Sequence, residues 1–256
     1  MDLIWGNFLA ICIGISLGLI GSGGSVLAVA ILIYILDVPP KSTIAMSLLI
    51  VGVVSLIGVI PHWQQGNINF QTAVLFSPTA MLGTYLGARI ASLPIISSQL
   101  QLFALKSVMI AAAIFMMRNH GQELDPSDRH NNYRWLIIPT EGLGVGILTG
   151  FVGIGGGFLI IPTLVLLGQT PIKQAVGTSL LIIAFKSVTG FAGYFGNVSV
   201  DLNLIILLTV AASAGTITGA YITKFTQPKH LEIGFGFLII AVAMYIVTKE
   251  FILKMI

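Results

Sequence analysis

The chain has 256 residues; twelve are Lys or Arg and nine Asp or Glu, 8% in all, against roughly 25% in a soluble domain. Apolar residues make up 56%, and mean hydropathy is +1.00. So few charges leave no way to wet a soluble surface, which excludes a soluble globular enzyme, a disordered chain and a nucleic-acid binder and points to lipid as the main solvent.

The N-terminus, Met1-Asp2-Leu3-Ile4-Trp5, lacks a basic n-region and a small-residue cleavage site, so it reads as the first membrane segment rather than a cleaved signal peptide. Leu3 to Leu36 would reach about 51 Å as one helix, too long for one upright span, yet it is too short for two. The glycines at 21–24 divide it into parts of about 18 and 12 residues, which predicts a span followed by a short or re-entrant helix. Cys12, the single cysteine, allows neither an intrachain disulfide nor a zinc site built on two cysteines, and reads as a small packed residue. Spans are expected over 42–60 and 70–91, separated by Pro61-His62-Trp63-Gln64-Gln65-Gly66-Asn67, with His62, like His230, a loop residue. A further span covers 100–117, interrupted by Lys106. Arg118 to Arg134 is polar and carries Pro126, so it reads as a linker. The break recurs around 153–157, followed by spans over 174–192 (containing Lys186), 203–223 and 232–249. This gives a first membrane repeat at 1–118, a polar linker at 119–134 and a second repeat at 135–256.

A shift of 132 residues aligns Gly14, Gly18, Gly21, Gly23 and Gly24 with Gly146, Gly150, Gly153, Gly155 and Gly156. The same shift pairs Pro39-x-Lys41 with Pro171-x-Lys173, Ser47-Leu48-Leu49 with Ser179-Leu180-Leu181, and Gly83-Thr84-x-x-Gly87-Ala88 with Gly215-Thr216-x-x-Gly219-Ala220. Ordered matches of Gly, Pro, Lys and Ser do not arise from apolar composition, and internal duplication is common in secondary transporters. The fold class is an all-α integral membrane protein with two homologous halves. If each glycine break turns the chain back, the halves are a five-plus-five inverted repeat; if it only kinks a helix, they are a four-plus-four parallel repeat. Loop cations favour the first. Arg118, Arg129, Arg134, Lys173, Lys224 and Lys229 then share one face against Lys41, Arg89, Lys249 and Lys254, whereas the parallel arrangement splits them evenly.

Three features are candidates for chemistry. Gly21-Ser22-Gly23-Gly24-Ser25 and Gly153-Ile154-Gly155-Gly156-Gly157 let the backbone leave helical geometry, and short helices starting after them point unpaired N–H groups at a ligand, which suits an anion. For Gly14, Gly18, Gly146 and Gly150 the Gly-x-x-x-Gly spacing reads instead as a packing face. Lys186 lies mid-span, and its repeat partner is Val54; a cation there faces a cavity or an anion, or else snorkels to an interface. Glu141 is the acid placed to carry a coupling proton, or an interfacial carboxylate. Among the hydroxyls, Ser47 and Ser179 have the best claim to a polar path, although most such groups bond to their own helix. Asn67 and Asn197 read as turn or cap residues. No metal cluster, nucleophile elbow or phosphate loop is present, so no cofactor is expected.

Two ordered copies of the break, an apolar stretch, Pro-x-Lys and Ser-Leu-Leu resemble the TauE/SafE family of membrane permeases. The resemblance runs through nearly the whole chain outside the linker. It implies movement of a small sulfur-containing anion, such as sulfite or an organosulfonate, an inverted repeat, a homodimer, and a site near Gly21 to Ser25 and Gly153 to Gly157. The expected function is therefore a secondary transporter for such an anion, with a channel-like pore or another organic anion as alternatives and an enzyme or non-transporting subunit least favoured. The expected partners are the anion, the bilayer and a second copy, with no nucleic acid. The expected location is the inner membrane of a bacterial or archaeal cell, with the linker cytoplasmic.

Overall fold

The computed structural model describes residues 2–21, 23–93, 134–152, 157–167, 170–194 and 200–227, with scattered positions over 95–111, at 198 and over 229–244. The linker over 119–133 and Lys106 lie outside the described residues. Among these residues every regular element is a helix: α1 (Asp2–Ile20), α2 (Gly23–Tyr34), α3 (Pro40–Gln64), α4 (Phe70–Ser92), α5 (Arg134–Val152), α6 (Gly157–Pro162) continued by a π-helical turn (Thr163–Leu167), α7 (Ile172–Tyr194) and α8 (Leu202–Phe225). The described positions over 99–111 and 229–244 are helical as well. Helices α3, α7 and α8 are each long and apolar enough to cross a bilayer. Large apolar side chains such as Val74, Ile206, Val210 and Phe225 face outward from α4 and α8, where lipid replaces water.

The first glycine break is a reversal. Gly21 has φ +80°, a left-handed conformation that L side chains avoid, and its N–H closes α1 onto Leu17 O at 2.7 Å. Helix α2 then returns beside α1. A Cβ added at Gly24 would stand 2.8 Å from Leu17 Cβ, and one at Gly6 would stand 3.6 Å from Leu36 Cδ2. The first segment therefore forms 19-residue and 12-residue helices folded against each other. In the second half the chain is likewise helical to Val152 and again from Gly157.

The halves exchange partners. Gly14 and Gly18 of α1 lie against the backbone of Ala212, Thr216 and Ala220 of α8, while Gly215 and Gly219 lie against Ile11 and Ile15. The register advances in the same sense on both helices, so α1 and α8 run parallel. The equivalent pairing joins α4 and α5, also in parallel: Gly83 and Gly87 meet Leu143 and Ile147, and Gly146 and Gly150 meet Ala80 and Thr84. Small residues let these backbones touch, the packing that lipid-embedded helices use in place of a hydrophobic drive. Helices α3 and α7 cross at the centre. A Cβ on Gly190 would stand 3.2 Å from Leu48 Cδ2, one on Gly52 2.8 Å from Ser187 Cβ, and one on Gly58 3.3 Å from Leu180 Cδ1. Numbers rise on α3 as they fall on α7, so this equivalent pair runs antiparallel.

Loop chemistry repeats too. Asn69 caps α4 by accepting from Thr72 N, and Asp201 caps α8 by accepting from Leu204 N, both at 3.1 Å. The lysines of the two Pro-x-Lys motifs reach the C-terminal carbonyls of those same helices: Lys41 Nζ donates to Leu93 O at 3.5 Å and Lys173 Nζ to Lys224 O at 3.4 Å. Asn67 sits in the turn, and the cap falls two residues later, on Asn69. Helix α3 does not stop before Pro61. The Pro61 carbonyl accepts from Gln65 N at 3.2 Å, and His62 lies inside the last turn rather than in a loop.

Candidate functional site

The first break meets the opposite half. A Cβ on Gly21 would stand 2.8 Å from Ser179 Oγ and 2.9 Å from Val176 O, so two residues singled out for the site, 158 positions apart, are neighbours. Gly23 opens α2, and Gly24 and Ser25 are buried behind it. The first-turn N–H groups of α2 have no intrahelical acceptor and carry the positive end of the helix dipole. Ser22, Gly153, Ile154, Gly155 and Gly156 lie outside the described residues; Gly157 opens α6. Ser179 Oγ donates to Val176 O at 2.8 Å and Ser47 Oγ to Ile44 O at 2.9 Å, the local back-bonding open to any helical serine.

The candidates do not form one cluster. In the antiparallel register of α3 and α7, Ser179 lies level with residues 58–59 of α3, some twelve residues beyond Ser47. At 1.5 Å per residue that is about 18 Å along the helix pair. Gly21 and Ser179 therefore mark one end of the central pair, and Ser47 the other.

Lys186 lies between them, at the crossing. It is wholly buried, and its Nζ donates to Thr149 Oγ1 of α5 at 3.2 Å. Thr149 in turn donates to Gly146 O at 3.1 Å. Among the described residues no carboxylate pairs with the ammonium. Next to it, Ser187 is buried with its hydroxyl unpartnered among the described residues, and so is its repeat equivalent Ser55 on α3. Thr189 bonds to the carbonyls of Met81 and Lys186. The repeat replaces Lys186 with Val54 and Thr149 with Leu17, both fully buried, so the polar contact exists in one half only. Glu141 is half-buried on α5, beside Gly142, which packs on Phe76 and Thr79 of α4.

Two buried ionisable residues, His62 and Tyr194, escape sequence reasoning. His62 is fully buried, with Nε2 2.8 Å from Gly18 O, one turn before Gly21. Its repeat equivalent, Tyr194, is buried too and donates its hydroxyl to Gly150 O at 3.1 Å. Pro61 read as a helix end and hid His62 in a presumed loop. The 132-residue shift, extended to this pair, is the signal that finds it.

The family description "Sulfite exporter TauE/SafE" matches residues 7–246. The chain belongs to the TauE/SafE family. It is 31% identical over 244 residues to a "Probable membrane transporter protein" of Xylella fastidiosa strain 9a5c, covering 93% of this chain and 92% of the relative. It is 30% identical over 222 residues to the "Probable membrane transporter protein YdhB" of Bacillus subtilis, covering 84% and 86%. A protein of the same description from Methanocaldococcus jannaschii is 31% identical over 247 residues, covering 88% and 89%. No solved structure matches. As a TauE/SafE protein with apolar spanning helices, the chain is an integral membrane transporter and not an enzyme.

Proposed function

We propose that this protein is a secondary transporter of a small sulfur-containing anion, sulfite or an organosulfonate, working by alternating access. The observation that carries this reading is Lys186: a wholly buried ammonium at the crossing of α3 and α7, held by a neutral hydroxyl. A cation at that depth costs several kcal/mol unless it is paired or hydrated, and a transported anion supplies the pairing. Helix termini at the two breaks add N–H donors suited to sulfonate oxygens. The hydroxyls of Ser55 and Ser187, buried and unpartnered among the described residues, add polar groups near the crossing of α3 and α7. Glu141 is the carboxylate on α5 available to a coupling proton.

The same reading makes the halves an inverted five-plus-five repeat. The antiparallel α3–α7 pair, the reversal at Gly21 and the exchange of α1 and α5 between halves support it. A duplication about an axis in the membrane plane reverses equivalent helices, whereas one about the membrane normal leaves them parallel. The cation asymmetry of the loops supports a cytoplasmic linker in an inner membrane, and a homodimer is the assembly the family resemblance favours.

The test is uptake of labelled sulfite and methanesulfonate into proteoliposomes, with wild type and Lys186→Ala in parallel. Saturable flux that the substitution reduces by about tenfold or more is expected, the scale of losing a desolvated charge contact. Flux and affinity unchanged by Lys186→Ala would remove the lysine from the site. Flux that never saturates would replace the carrier with a pore.

A further inference from the structure

The two halves hold their buried cationic groups differently. Among the described residues, Lys186 and His62 are the buried side chains able to carry positive charge. Lys186 serves the second half, where Thr149 lies one turn before Gly153. In the first half its equivalent is Val54, and no fixed cation stands near Gly21 among the described residues. His62 stands there instead. Gly18 O accepts from its Nε2 and from Thr223 Oγ1 at 3.2 Å, and Gly177 of α7 packs on its Cβ. The same stretch of α7, Val176 to Ser179, lines Gly21.

A carbonyl oxygen only accepts, so Nε2 carries the hydrogen and Nδ1 is the bare nitrogen. Nδ1 is buried and unpartnered among the described residues. Gly18 O of α1 lies on Nε2, Gly177 of α7 packs on Cβ, Asn67 N in the turn after α3 donates to the main-chain carbonyl of His62, and Thr223 of α8 shares the acceptor Gly18 O. None of these titrates. The charged residues on those helices nearest in sequence to Gly177 and Thr223 are Lys173 and Lys224, toward the helix ends, and Lys173 Nζ donates to the main-chain carbonyl of Lys224.

We propose that His62 is the proton-binding residue of the first half: Nδ1 takes a proton from water, and the imidazolium supplies positive charge beside Gly21, where the first half has Val54 in place of Lys186. Anion and proton then enter together at the first break, and the proton leaves for water when the anion does. The two halves share one packing scheme but differ in the basic group each buries, a lysine at the crossing in one and a histidine beside Gly21 in the other. The proposal rests on the anion-transport reading for its consequence, though not for the proton site itself.

The proton site is read first, without substrate. Nitrogen NMR of 15N-histidine-labelled full-length protein in nanodiscs, with His62→Gln to identify the resonance, should show the Nε2–H tautomer at high pH and a proton gained on Nδ1 as the pH falls toward about 5. A resonance that stays neutral down to about pH 4.5 overturns the proposal. Coupling is read next, with methanesulfonate, an anion at every pH used. Wild-type proteoliposomes should accumulate it under an inward proton gradient. His62→Gln, which keeps a donor for Gly18, should lose that accumulation by about tenfold, and whatever exchange remains without a gradient should no longer rise as the pH falls. Equal accumulation in wild type and His62→Gln, or a loss confined to Glu141→Gln, overturns it. Absence of any anion flux in wild type sinks the transport reading instead, and the NMR result alone then decides the proton site.

Discussion

Tyr194 donates its phenolic hydroxyl to Gly150 O at 3.1 Å and lies 3.3 Å from Gln101 Nε2, which also donates to Phe151 O at 3.1 Å. The phenol is thus a buried junction between α5, α7 and the helical segment around Gln101. Tyr194→Phe keeps the ring and strips the junction, taking a donor from Gly150 O and an acceptor from Gln101 Nε2, which keeps its bond to Phe151 O. A loss of about 1–3 kcal/mol is expected, seen as a lower thermal unfolding midpoint in detergent. An unchanged midpoint would mean that water or another group replaces the hydroxyl.

Lys186→Met should separate stability from function. Removing a buried amine that has no carboxylate partner among the described residues, and filling its place with an apolar chain of similar length, is neutral or stabilising by about 1–4 kcal/mol. The variant should unfold at the same or higher temperature while anion uptake falls. A marked fall in stability would instead make Lys186 a structural tether of α7 to Thr149.

The glycine seams should be intolerant of bulk. A side chain at Gly146 would enter the backbone of Ala80 and Thr84, and one at Gly14 that of Ala212. Gly146→Leu and Gly14→Leu should each cost at least about 1–3 kcal/mol, read as aggregation or an early melt in size-exclusion thermal scans. Gly144, with nothing within 4 Å of an added Cβ, is the control: Gly144→Ala should melt like wild type.

Topology is checked at the paired lysines. In a Cys12→Ser background, Lys41→Cys and Lys173→Cys start equivalent helices of the two halves. An impermeant maleimide applied to intact cells should label one of them and reach the other only after permeabilisation. Labelling of both from one side would restore the parallel repeat. The two lysines contribute only C-terminal capping, about 0.3–1 kcal/mol each, so both variants should fold and transport.

Much of the architecture was legible in the residues, for identifiable reasons. The glycine clusters at 21–24 and 153–157 read as helix breaks because glycine admits φ values that other residues avoid, as Gly21 does, and beside them α1 ends, α2 begins and α5 ends. Lys186 was legible because charge in an apolar span is rare. What stayed hidden were relations between segments. Nothing local tells that Gly21 will lie on Ser179 of the other half, or that Ser47 and Ser179, identical in motif, will sit at opposite ends of an antiparallel pair. His62 was misread because proline is a reliable stop signal in soluble helices, whereas in α3 it lies in the last turn and Gln65 N still finds the Pro61 carbonyl. Asn69 and Asp201 were passed over as caps because they match in role and not in residue type.

The exchange of partners between halves bears on how the chain is made. Helix α1 leaves the ribosome with the seam of Gly14 and Gly18 bare, and the surface that closes it, around Ala212 and Thr216, is synthesised some 200 residues later. At about 5–20 residues per second that interval is roughly 10–40 s. During it α1 must be sheltered by lipid or by the insertion machinery, and a chain cut short before α8 would keep an open seam for the cell's quality-control proteases to find.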